Sequence, residues 1–150
     1  MFKLDKTKAT GKLTVEIKGK DGHVKETREI KNLVVQAGLD FIASRMKDVS
    51  SGVMSHMGIG TGTTAAASGD TTLGTEAARQ GLTSTTVNNN AVSYVASFAA
   101  GTGTGAITEA GILNASASGT LLCRTVFSVV NKGASDSMTS TWTITISSGK

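Results

Sequence analysis

The sequence contains no proline, a single cysteine, one tryptophan, one tyrosine and two histidines. Each shortage closes off a class of explanation. With Cys123 alone no intramolecular disulfide can form, and nothing points to an oxidising compartment. Cys123 lies in the apolar run around Leu121, Leu122 and Val126 and is expected to be a small buried hydrophobe. The lack of proline removes one common means of blunting a sheet edge, so edges must be protected by partners, bulges or charge. No stretch approaches the ~18 consecutive apolar residues of a spanning helix. The opening MFKLDKTKATGKLTVEIKG scatters charges among apolar positions, unlike the apolar heart of a secretion signal. A membrane partner is therefore not expected, and synthesis in a cytoplasm is.

Charge is also missing from most of the chain. Residues 1–50 carry eleven Lys and Arg against seven Asp and Glu, which accounts for the whole net charge of +4. Residues 51–150 hold four of each sign. Their surface must be built from Ser, Thr, Asn, Gly and Ala, which suits a subunit held against other subunits better than a free monomer.

A chain of 150 residues is long enough for one domain with an adequate core and no metal or disulfide. Residues 1–10 read as a mobile basic arm. Over residues 11–31, Leu13, Val15 and Ile17 alternate with Thr14, Glu16 and Lys18, and Lys20-Asp21-Gly22 supplies the turn of a hairpin. Over residues 32–48 the period changes: Val34, Val35, Leu39, Phe41, Ile42 and Met46 fit one short amphipathic helix, weakened by Gly38. MGIGT at 57–61 reads as a buried strand entering a long small-residue excursion, residues 61–81, of the kind that is usually functional or interfacial. Strands of period two follow over 82–87, 91–100, 106–113, 121–130 and 140–147, separated by Gly, Asn and Ser turns. This spacing predicts an all-β domain with one short helix, an antiparallel sandwich or jelly-roll-like barrel whose core spans 57–147.

The chemistry-bearing residues do not assemble into a catalytic or cofactor motif. Gly58-Ile59-Gly60-Thr61-Gly62-Thr63-Thr64 suggests a phosphate-cradling loop, but neither the P-loop nor the dinucleotide spacing is met, and no lysine follows until Lys132. A close-packed strand end is the better reading. His23, His56 and Cys123 are too scattered for metal-ligand spacing, and Asp70, Glu76, Glu109 and Asp136 are solitary. Neither histidine lies in a nucleophile-and-base motif. The chain is expected to be no enzyme, with no cofactor and no metal. Lys3, Lys6, Lys8 and Lys12 lack the arginines and aromatics of a nucleic-acid arm, so a solvated arm, or a tether that docks on an acidic protein surface, is expected instead. Glu76 and Arg79, three apart, are placed to pair across one helical turn. Glu109 falls at a strand centre, where it faces solvent or meets an arginine such as Arg124; the pair is either cross-strand or between subunits.

MGIGTGTT at 57–64, SGDTTLGTEAAR at 68–79, ITEAGILN at 107–114 and LLCRTVFSVVNKGASDSMTSTWTITIS at 121–147 occur in that order. Together they resemble small virion structural proteins of tailed bacteriophages, especially the head decoration or cement type. A related T-E-A/V-G-I/L pattern occurs in phage tail-fibre and collar proteins. The likeness covers residues 32–147 and leaves out the N-terminal hairpin. It implies a self-associating homo-oligomer, a dimer or trimer, that binds the outer surface of the major capsid protein shell and bridges its subunits. It also implies a place on the virion exterior after synthesis in the bacterial host. A tail, neck or fibre-attachment role is the alternative. Under the first reading the contact elements are the basic arm with Lys3, Lys6, Lys8 and Lys12, and the 61–81 excursion with Glu76 and Arg79.

Overall fold

Alternation of apolar and polar side chains decides the architecture. The computed structural model describes residues 7–47 and 52–148. It contains nine strands and one helix: β1 (Lys8–Lys18), β2 (Val24–Val34), α1 (Gln36–Arg45), β3 (His56–Gly60), β4 (Glu76–Gly81), β5 (Ser84–Asn88), β6 (Ala91–Phe98), β7 (Gly105–Leu113), β8 (Leu121–Lys132) and β9 (Ser137–Ser147). All strand pairs are antiparallel, in the order β4-β3-β7-β8-β2-β1-β9-β6-β5.

That single ribbon folds over on itself along β2. From Val24 to Asn32 this strand pairs with β1, and its last two residues, Leu33 and Val34, pair with Arg124 and Cys123 of β8. On the opposite side two residues make the crossing. Leu82 donates its N–H to the Ser55 carbonyl beside β3, and Thr83 donates to Val95 of β6. The two halves thus face each other as an antiparallel β-sandwich. One continuous core fills the space: Leu13, Val15 and Ile17 of β1, Phe98 of β6 and Trp142 of β9 meet Met57, Ile59, Ile107 and Ile112 from the other half. Each such side chain contributes about 1.5–3 kcal/mol on burial.

The N-terminal hairpin is therefore central, not peripheral. Its turn follows the sequence reading, with Gly22 at φ 84° and its N–H donated to Gly19 O at 3.0 Å. Strand β1 begins at Lys8 and pairs with β9 from Lys8↔Ser147 onward, so residues 8–10 of the expected mobile arm are strand. Residues 1–6 lie outside the described part. The helix is also shorter than the 32–48 span, because Asn32, Leu33 and Val34 are drawn into β2. Gly38, which weakens the helix by propensity, is where α1 lies directly on β8: a Cβ there would collide with the Leu122 carbonyl. The 61–81 excursion resolves into a loop over 61–75 and the edge strand β4.

Candidate interaction site

Of the residues expected to form a contact surface, Lys3 and Lys6 lie outside the described residues. Lys8 and Lys12 project from the outer face of β1, on the side opposite Leu13 and Val15, and Lys12 Nζ lies 3.1 Å from Glu29. Glu76 and Arg79 lie on β4, at the far end of the sheet, so they do not share a patch with the lysines.

Glu76 and Arg79 do pair, on a strand and not on a helix. Residues three apart on a regular strand point to opposite faces. Here the register slips between Ile59 and Gly60, leaving Ala77 as an extra residue, and this bulge returns both side chains to one face. Arg79 Nε and Nη2 donate to the Glu76 carboxylate at 2.6 and 2.7 Å, while Nη1 donates to the carbonyls of Ala115 and Ser118 at 3.0 and 2.8 Å. Hydrogen bonding to Glu76 pushes the guanidinium's pKa up against the effect of burial. The arginine latches the turn between β7 and β8 instead of standing ready for a partner.

Glu109 carries the largest departure from a simple strand pattern. It is fully buried on the outer face of β7, a strand covered on both faces from Ile107 to Leu113. Its Oε1 accepts from Arg124 Nε at 3.0 Å and Gly74 N–H at 2.7 Å; its Oε2 accepts from Gly62 N–H at 2.7 Å and Thr75 N–H at 2.6 Å. Arg124 continues to Asp70 at 2.8 Å and to Thr64 O at 2.9 Å. Burial pushes the Glu109 carboxyl up. The N–H groups of Thr75, Gly74 and Gly62 and the Arg124 guanidinium outweigh that and hold it below its ordinary range. Asp70 is likewise lowered: burial opposes ionisation, and the Ala67 N–H and Arg124 prevail.

The glycine-rich segment therefore does cradle an anion, and the anion is the chain's own carboxylate. A Cβ on Gly62 would collide with Glu109 Oε2, which is why the loop needs glycine at that position. Of the two pairings open to Glu109, the arrangement is the cross-strand one, with Arg124 set diagonally on β8. Beneath the same loop Val35, Leu73, Leu113 and Leu121 form a second small core. Loop 61–75 is thus fastened as a fixed relief on the outer face of β7 and β8.

A second anchor sits at the opposite end. Buried Lys132 donates Nζ to Ala99 O at 2.9 Å and Asp136 O at 2.8 Å, and the Asp136 carboxylate takes Lys25 and the Gly133 N–H. Burial lowers the Lys132 pKa, opposed by Asp136. Of the histidines, His23 is exposed beside Asp21 in the β1–β2 turn, and His56 Nδ1 lies 2.8 Å from Ser55 Oγ at the start of β3. Burial pushes the Cys123 thiol well up, in keeping with a packed hydrophobe.

Two surfaces have shapes the sequence left unassigned. On the outer face of β9 and β6 hydroxyls predominate: Thr141, Thr143 and Thr145 stand in register with Thr14, Lys12 and Thr10 of β1, whose outer face also carries Lys8 and Glu16, and Ser93 Oγ lies 3.0 Å from Thr143 Oγ1. At the mouth of the sandwich a cavity of about 460 Å³ opens between α1 and the core-facing sides of β5, β6 and β9, with Phe41, Ile42, Val92, Tyr94 and Ile144 among its walls. Burial raises the Tyr94 pKa to about 12. No family model matches the chain, and the searches of curated proteins and of solved structures found no match either.

Proposed function

We propose that this chain is a virion structural protein of a tailed bacteriophage, a head decoration or cement protein that lies on the outer surface of the major capsid shell and bridges its subunits. The observation that carries the reading is the uncharged, hydroxyl-rich outer face of β9 and β6, broad and stiff, bordered on β1 by Thr10 and Thr14 among Lys8, Lys12 and Glu16. Such a face meets another protein through many short hydrogen bonds and little desolvated charge. The order of the phage-like motifs supports the same reading. Glu76 and Arg79, occupied within the chain, are left out of the contact. Each copy adds a modest interface, and repetition over a closed shell turns modest affinity into firm attachment.

The test is to mix shells of the major capsid protein with the recombinant chain, purify them and count copies by quantitative mass spectrometry. A copy number proportional to the number of shell subunits, with shells made more resistant to heat, is the expected result. A small fixed number per whole virion would move the protein to the tail or neck, and no binding to either would overturn the reading.

A further inference from the structure

A folded ribbon of strands has two ends, and each end presents a row of backbone N–H and C=O groups that only water or another strand can satisfy. The two ends of this sheet are treated differently. At β4 the edge carries Glu76 and Arg79, is twisted by the bulge at Ala77, and is tied by Arg79 to the carbonyls of Ala115 and Ser118. These are the usual protections against edge-to-edge pairing. At β5 none is present. Ser84-Thr85-Thr86-Val87-Asn88 pairs with β6 in unbroken register, contains no charge and no bulge, and is exposed at all five positions. Its centre, Thr85-Thr86-Val87, is β-branched throughout and favours extended backbone.

Electrostatics selects the occupant. The chain carries a net charge of +4, so most ways of bringing two copies together oppose like charges, yet no Asp, Glu, Lys, Arg or His occurs between Arg79 and Glu109. Two copies can approach through β5 with no charge on the paired strands or on β6 behind them; Arg45 of α1 is the one charged residue lining the cavity that Thr85 and Val87 share. Hydrophobic burial acts in the same direction. Thr85 and Val87 lie opposite Tyr94 and Val92, on the core-facing side of the sheet, yet Val87 is 70% exposed at the rim of the cavity beside α1, with Val53 62% exposed nearby.

We propose that β5 is the self-association edge of this protein: two copies pair antiparallel through Ser84–Asn88 about a two-fold axis at Thr86. In this register Thr86 faces Thr86 of the second copy, Thr85 faces its Val87, and Ser84 faces its Asn88. The contact is isologous and closes after two copies. It turns each Val87 inward and joins the hydroxyl faces of the two subunits into one wider face. Five residues of strand bury far less than the ~1,600 Å² of a standard stable interface, so the free dimer is weak and concentration-dependent. On a surface that holds copies close it becomes effectively intramolecular.

The test uses the isolated full chain, so its outcome does not depend on whether a shell is bound. Sedimentation velocity over a wide concentration range is expected to show a monomer–dimer equilibrium. Thr86→Lys places two ammonium groups directly opposite each other across the axis on an already exposed face, and it is expected to weaken the dimer by roughly tenfold while far-UV circular dichroism stays unchanged. In the unaltered charge background, Thr86→Cys is expected to form a disulfide-linked dimer on mild oxidation. Gln80→Cys, on the β4 edge, is not. A chain that stays monomeric at every concentration overturns the proposal. So does a dimer that Thr86→Lys leaves intact and that cross-links no faster through position 86 than through position 80.

Discussion

Glu109 shows how far a single residue can be read and where reading stops. As a lone carboxylate in a nearly neutral stretch it stands out, and Arg124 is nameable as a partner from the sequence. Its other three partners are the backbone N–H groups of Gly62, Gly74 and Thr75, which carry no side-chain signal and lie more than thirty residues away along the chain. Replacing it by Gln keeps the shape but removes the charge and turns an amide NH₂ toward groups that are all donors. Arg124 keeps Asp70 but loses its fully buried partner, and an amide NH₂ set against donors leaves them unsatisfied, at a cost of about 1–3 kcal/mol. Glu109→Gln is expected to lower the unfolding free energy measured by chemical denaturation by that amount, with a lower midpoint, and to speed proteolysis within 61–75. The pH dependence has a definite sign. Glu109 and Asp70 are both lowered in the fold from ordinary values of 4.5 and 3.8. In acid the unfolded chain therefore binds more protons than the folded one. Their contribution is complete above about pH 4.5 and is lost as pH falls through the folded values. Stability measured below that point should fall with a shallower slope in Glu109→Gln than in the parent.

At the scale of elements, period-two patterns placed most of the strands, while local spacing misread what joins them. The spacing of Glu76 and Arg79 is equally consistent with a helical turn and with a bulged strand, and only the register against β3 distinguishes them. Because Arg79 satisfies a carboxylate and two carbonyls at once, Arg79→Lys keeps the charge but loses the fork. Faster hydrogen exchange over 114–120, with a stability loss of about 1 kcal/mol, is expected from the loss of charge-assisted bonds at a mostly buried guanidinium. A second contest sits in α1. By propensity Gly38→Ala should gain about 1 kcal/mol in a helix interior. Collision of the new methyl with the Leu122 carbonyl forces α1 away from β8 and costs about 1–3 kcal/mol, so packing wins and the thermal midpoint should drop. The same glycine that weakens the helix signal in the sequence is what lets the helix seat.

For the whole molecule, the fold class and the position of nearly every strand were legible, and the role of the N-terminal hairpin was not. Motif likeness begins at residue 32 and leaves the role of what precedes it unassigned. Strand order is a long-range property, and nothing in the local pattern of β1 says that it will lie between β2 and β9 at the centre of the sheet. The structure turns this into a sharp prediction. A chain beginning at residue 32 loses Leu13, Val15 and Ile17 from the core, three side chains exposed by 2% or less. It also leaves β9 without its β1 partner, which pairs with it over Lys8–Lys18. At about 1.5–3 kcal/mol each, the lost side chains alone approach the 5–15 kcal/mol that stabilises a typical domain. The stripped strand edge and the opened core add to the loss. Trp142, the only tryptophan and fully buried among those residues, is a built-in reporter. The 32–150 chain is expected to show red-shifted, solvent-exposed Trp142 emission and no cooperative melt. A blue-shifted emission with a sigmoidal unfolding transition would mean instead that the hairpin is a separable module and that β9 finds another neighbour.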